Sequence, residues 1–142
     1  MSNSYRDLVA WQVAVELVTA VYRQTSAFPK TEICALTSQI RRSAISVPSN
    51  IAEGQGRSSS GEFQQFLGHA KGSLLELETQ LIIASNLGYI SDEQLNSLLQ
   101  RTDRVSRLLN GLIQPLKRPP KPFITKPNQN QKAFRKGASD SE

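Results

Sequence analysis

Over residues 7–27 the polar residues Gln12, Glu16, Thr19 and Arg23 fall at steps of four, three and four. On a helix these steps make one narrow polar stripe. Nearly everything else is apolar: Leu8, Val9, Trp11, Val13, Val15, Leu17, Val18, Val21 and Tyr22. A surface helix needs an apolar face of only ~100°, and this one is apolar around most of its circumference. One bundle core cannot cover that, so a second burial surface is expected on another copy of the chain, with Trp11, Val15, Val18 and Tyr22 as the interface. The alternative, a helix central in its own domain, is hard to arrange with the number of helices present.

Phe28-Pro29 ends the first helix, because the residue before a proline is pushed out of the helical region. The second is expected over residues 31–54, with Thr31 as N-cap, Glu32 in its first turn and a core stripe of Ile40, Ala44, Val47 and Ile51. Pro48 lies inside it and predicts a kink near residues 44–48, because it removes one backbone hydrogen bond and crowds the carbonyl of Ala44. Ser43 and Ser46 could bond the freed groups. Gly54 and Gly56 then break the chain. Ser59 with Glu62 three residues on reads as a capping box. It starts a third helix that runs to about residue 87, with Phe63, Phe66, Ala70, Leu74, Leu77, Leu81 and Ala84 inward. Gly88 suits the residue just past a helix end. Ser91 and Gln94 make a second box. The fourth helix covers about 92–114, stripe Leu95, Leu98, Thr102, Val105, Leu109, Leu112 and Leu116, and Pro115 ends it.

Four rods of ~24 residues, each ~36 Å long, with short loops and heptad-like stripes, predict an all-α, antiparallel up-down four-helix bundle over residues 1–116. Residues 117–142 are rich in Pro, Lys, Asn and Gln. They cannot bury enough apolar area to offset ordering entropy, so a disordered basic tail is expected. No apolar run approaches a membrane span. Residues 1–7 lack the basic-then-apolar pattern of a signal peptide, and the one cysteine, Cys34, has no second to pair with. The expected location is cytoplasmic.

Charge changes this picture. Residues 1–100 hold seven Lys/Arg against nine Asp/Glu, and residues 101–142 hold ten against three. The basic character therefore belongs to the C-terminal third and points to an anionic partner, nucleic acid first. A purely solubilising tail is the alternative. The candidate phosphate contacts are Arg101, Arg104 and Arg107, climbing the fourth helix in steps of three, then Lys117, Arg118, Lys121, Lys126, Lys132, Arg135 and Lys136. Such contacts give affinity without reading sequence. Phe123 and Phe134 are the tail's only aromatics, so base stacking there would be modest. Arg41, Arg42 and Arg57 are a secondary set, should they face outward.

Catalytic signals are thin. A structural zinc site takes about four ligands, and His69 has no second histidine and one cysteine to join it. Glycine-rich phosphate loops and nucleophile elbows are missing, and no metal or cofactor is expected. His69, Ser73, Glu76 and Gln80 repeat at helical steps on the third helix, as do Arg42, Ser46, Asn50 and Glu53 on the second. A catalytic pair, Glu53 with Glu76, is one reading. The favoured one is a structural polar network of Arg42, Asn50, Glu53, Ser73 and Glu76 that fixes register, with Arg42 pairing to Glu76 or Arg41 to Glu53. Gly68, Gly72 and Ser73 would let the backbones approach.

The run Gln39-Ile40-Arg41-Arg42-Ser43-Ala44-Ile45-Ser46-Val47-Pro48-Ser49-Asn50-Ile51-Ala52-Glu53-Gly54 closely resembles the hallmark of the bacterial four-helix-bundle proteins encoded in 23S rRNA intervening sequences. Tyr5-Arg6-Asp7-Leu8 with Trp11, Phe66-Leu67, Ala70, Gly72-Ser73, Leu77-Glu78 and Gln80-Leu81 are similar to theirs as well. The resemblance covers roughly residues 5–115. It implies ring-like homopentamers, which suits the over-apolar first helix. It also implies a relation to the accessory proteins of diversity-generating retroelements, which bind a reverse transcriptase and its template RNA through a basic surface. This chain departs in its bundle, where residues 1–116 hold ten basic and ten acidic residues. That moves the expected contacts onto the fourth helix and the tail. The expected function is a non-catalytic, RNA-binding accessory protein acting as a homo-oligomeric ring, with RNA favoured over DNA. The alternative is a protein-interaction scaffold or accessory subunit of a reverse transcriptase.

Overall fold

The computed structural model describes residues 4–117. The expected tail from Arg118 onward, with its expected disorder, lies outside them. The four helices are α1 (Val9–Thr25), α2 (Leu36–Gln55), α3 (Ser60–Asn86) and α4 (Asp92–Lys117), with short 3-10 turns at Tyr5–Asp7 and Lys30–Glu32. No strand occurs among the described residues. Each helix packs on the next and α4 returns to α1, while the backbones of α1 and α3 do not approach closely, nor do those of α2 and α4. This is an up-down four-helix bundle in which α1 and α3 form one diagonal.

The inward stripes follow the 3.6-residue period. Ile40, Ala44, Val47 and Ile51 of α2 are completely buried, as are Leu67, Ala70, Leu77, Leu81 and Ala84 of α3 and Val105 and Leu109 of α4. Two core positions differ from the sequence reading. On α3 it is Leu67 that reaches the centre, while Phe66 stays half-buried. On α4, Ile113 is buried where Leu112 only packs against the edge of the core. In both cases two neighbouring apolar residues compete for one inward direction, and periodicity alone cannot choose between them.

Several helix ends match the capping chemistry. The Ser59 hydroxyl accepts the Glu62 backbone N–H at 3.2 Å. At Ser91 the box closes both ways: Gln94 N–H donates to the Ser91 hydroxyl at 3.1 Å, and Ser91 N–H donates to the Gln94 side chain at 2.9 Å. Gly88 takes φ +78°. Around it Tyr89 N–H reaches Ala84 O and Gly88 N–H reaches Ser85 O, which satisfies the last carbonyls of α3.

Three ends differ. Thr31 does not cap α2: the chain first winds a 3-10 turn, Ala35 occupies the N-cap without a side-chain bond, and the Glu32 carboxylate accepts Leu36 N–H instead, at 3.2 Å. Gly54 does not break α2, which continues to Gln55 with Gly56 as C-cap. Pro115 does not end α4, which runs on to Lys117. A proline this near a C-terminus costs one donor and leaves little helix to disrupt, while Leu116 still packs on the core. Pro48 is likewise carried inside α2, buried.

The α1–α2 and α3–α4 connections are tied together by Tyr89. Its ring lies 5.4 Å from that of Phe28, and its hydroxyl donates to Glu32 at 3.1 Å. Desolvation, then the hydrogen bond and the charge of Glu32, raise the Tyr89 pKa above the ordinary 10.0. A raised folded-state pKa means the native state holds this proton after the unfolded chain has released it. The stabilisation is present in full below pH ~10 and is lost as pH rises through the raised value. Tyr89→Phe is therefore expected to show a flatter loss of melting temperature than the parent between pH 9 and 11. Parallel curves would remove Tyr89 as the cause.

Candidate nucleic-acid interface

Leu98, Thr102, Val105, Leu109 and Ile113 turn inward from α4, which leaves its polar side to solvent. Arg101, Arg104 and Arg107 are all exposed there. They differ in what they meet. Arg107 is ion-paired to Asp103 one turn back. Arg101 and Arg23 of α1 together line two adjoining pockets between α1 and α4, one of which Glu93 also lines and the other Glu16. Arg23 has no sequence signal linking it to Arg101, and only the α1–α4 seam brings the two together. Arg104 makes no hydrogen bond or ion pair among the described residues. Lys117 is exposed at the last described position. Arg118, Lys121, Lys126, Lys132, Arg135 and Lys136 lie outside the described residues.

The secondary set is split. Arg57 lies at the α2–α3 turn, paired to Glu53 at 3.0 Å with its guanidinium 4.8 Å from the centre of the Phe66 ring. Arg41 is at the other end of α2. Its Nε donates to the Thr25 hydroxyl at 2.9 Å, and its guanidinium sits 4.5 Å over the Tyr22 ring. Arg42 beside it is exposed, with no partner among the described residues.

The expected polar network forms only at its small members. The Ser46 and Ser73 hydroxyls bond across α2 and α3 at 2.8 Å. Asn50 Nδ2 donates to the carbonyl and hydroxyl oxygens of Ser46 at 2.8 and 2.9 Å. The charged members stay out: Glu53 takes Arg57, Glu76 accepts from Gln80 at 3.3 Å, and neither Arg42–Glu76 nor Arg41–Glu53 forms. Burying a charge between helices is costly, whereas long side chains can keep their heads in water. Gly68 and Gly72 do not sit at a close approach, for a Cβ at either would meet nothing within 4 Å. Ser73 does, and so does Gly54.

Glu53, Glu76 and His69 share no partner. His69 is exposed, and its ring stands edge-on to Phe66 at 6.1 Å. Among the described residues no group of three or more His, Cys, Asp or Glu is placed to hold a metal ion. No described helix is long and apolar enough to cross a membrane.

Of the expected interface residues on α1, Val15 and Tyr22 are exposed, while Trp11 and Val18 pack partly against their own core. A second set of exposed apolar residues lies on α3, at Leu75, Ile82 and Ile83, with Leu87 at its C-cap. Sequence reasoning missed it because α3 is apolar on two faces.

Residues 6–111 match the 23S rRNA-intervening sequence protein family. The fold is similar to a crystal structure of a protein of unknown function from the S23 ribosomal protein family of Bacteroides thetaiotaomicron. That likeness has a TM-score of 0.67 and 24% sequence identity, and covers 74% of this chain and 98% of the other. No curated protein matches the chain.

Proposed function

Given that the chain belongs to the 23S rRNA-intervening sequence protein family, we propose that it is a non-catalytic RNA-binding accessory protein that works as a homo-oligomeric ring. The observation that carries the binding half is the charge split: ten basic against three acidic residues from position 101 onward, on a chain whose first hundred residues are net acidic. Arg101 and Arg104 of α4, with Lys117 and the basic residues that follow it in sequence, supply the phosphate contacts. Arg107 contributes less while Asp103 holds it. Each neutralised phosphate releases counterions, so affinity falls steeply with salt.

The ring half is supported by the diagonal arrangement. Exposed apolar residues sit on α3 (Leu75, Ile82, Ile83) and on α1 (Val9, Val15). These helices are on opposite corners of the bundle. Two different outward faces favour a heterologous, head-to-tail contact, and such contacts close into rings when the rotation permits. A ring multiplies weak basic contacts by avidity.

The test is a titration of a structured RNA at several salt concentrations. If about six cations neutralise phosphates, the log–log slope is expected to be roughly −5 on duplex and shallower on single strands. Replacing Arg101, Arg104 and Arg107 together by Gln is expected to reduce the slope by about 2 to 3. Binding that ignores salt, or no binding at low ionic strength, would overturn the reading. The exposed α3 face also favours a second reading, a docking scaffold or accessory subunit for a partner protein such as a reverse transcriptase. Capture of that partner that survives nuclease treatment would favour it.

A further inference from the structure

We propose that the cleft where the C-terminal turn of α1 meets the N-terminal half of α2 is a binding site for a nucleoside phosphate. The ligand is taken either as a free mononucleotide or as an unpaired nucleotide of a strand. The site uses no residue of α4, so it goes beyond the function proposed above and can fail or stand independently of it.

The cleft is open to solvent and has a volume of about 380 Å³, near the lower end of the roughly 300–1,000 Å³ typical of small-molecule sites. Arg41 and Arg42 both line it. Neither guanidinium has a carboxylate partner among the described residues. Arg41 is held from two sides, by the Thr25 hydroxyl at its Nε and by the Tyr22 ring beneath it. Thr25 is itself anchored, donating to Val21 O at 2.8 Å. This leaves the terminal nitrogens of Arg41 unused and their orientation set, so little side-chain freedom is lost when an anion arrives. The neighbouring Arg42 adds a second free fork. Two guanidinia match the oxygens and charge of a phosphate better than those of a single carboxylate.

The rest of the wall fits the other half of a nucleotide. Tyr22, Ile33 and Ile45 stay 39, 57 and 42% exposed, and all three converge on this cleft. Scattered exposed apolar residues need no explanation, whereas apolar groups gathered around unpaired cations are the mark of an amphipathic ligand. A flat base is such a group, able to pack on aromatic and aliphatic side chains. Thr37 also lines the cleft at 2% exposure, and its hydroxyl has no partner. An unsatisfied buried hydroxyl is costly, and a small rotation of this one toward the cleft would give the ligand a further polar contact.

The full chain is titrated by calorimetry with adenosine 5′-monophosphate, inorganic phosphate, octanoate and a 5′-phosphorylated oligoadenylate. The mononucleotide is expected to bind more tightly than inorganic phosphate, and octanoate is expected not to compete. Arg42→Gln, at an exposed position that leaves the melt unchanged, is expected to weaken the mononucleotide about tenfold. Ile33→Ser, at an exposed apolar position of the wall that touches neither arginine, is expected to weaken the mononucleotide but leave inorganic phosphate unchanged. A mononucleotide tighter than the oligonucleotide identifies a free nucleotide as the source, and the reverse identifies a strand; either supports the site. The Arg101/Arg104/Arg107→Gln chain is expected to bind the mononucleotide as the parent does. The proposal is overturned if Arg42→Gln binds the mononucleotide unchanged, if octanoate competes equally well, or if no mononucleotide binds. Loss of mononucleotide binding only in the α4 variant would sink the cleft while leaving the α4 interface standing.

Discussion

Leu77→Ala is expected to cost about 2–5 kcal/mol, the range for removing a fully buried leucine when the surroundings relax only in part. Leu77 has 0% exposure and sits midway along α3, between Leu74 and Leu81, which are as deeply buried. A domain of this kind holds only about 5–15 kcal/mol in total, so denaturant unfolding is expected to shift far toward lower concentration, with the fold lost outright if the parent lies near the low end. The informative control is two residues away. Leu75 is 56% exposed, and Leu75→Ala is expected to stay within about 0.5 kcal/mol. Leu75→Lys is expected to fold like the parent while light scattering shows the assembly falling apart. A parent that is already monomeric, or an assembly indifferent to the Leu75→Lys change, would remove α3 from the proposed ring contact.

Gly54→Ala is expected to destabilise by about 1–3 kcal/mol, the usual cost of overpacking. That is the net effect after the ~1 kcal/mol that alanine gains over glycine inside a helix. Gly54 is buried in the last turn of α2, where an added Cβ would lie 2.7 Å from Phe66 Cβ and 3.0 Å from the Phe63 ring. Phe66 Cβ is anchored to the α3 backbone, so α2 and α3 must separate to admit a methyl group. The same substitution at Gly68, where nothing stands within 4 Å, is expected to stabilise by about 0.5–1 kcal/mol. Thermal melts of the two variants should move in opposite directions. Gly54→Ala melting like the parent would mean that the α2–α3 contact gives way more easily than its geometry indicates.

These two comparisons show where the sequence was legible. The stripe on α2, the capping box at Ser91 and the αL glycine at Gly88 are local, each depending on residues within a turn or two, and each appears in the fold as its pattern required. The charge asymmetry needs no structure either. The polar rows on α2 and α3 were visible, and their small members Ser46, Asn50 and Ser73 do meet. The pairing of their charged members was not legible, because each arginine and glutamate had a solvent-side or same-helix option with less desolvation.

Spacing at 100° per residue decides which side chains share a helix face, and so the chain alone determined four amphipathic helices, their order and most of the buried stripe. It could not decide whether Phe66 or Leu67 of α3 meets the core, why Gly54 must lack a side chain, or that Arg41 is stacked on Tyr22. Those depend on rotation and register between helices, which are set by contacts among residues far apart in the chain. Only the packed bundle therefore places Leu67 rather than Phe66 in the core, and only there do Tyr22, Ile33, Arg41 and Arg42 line one cleft.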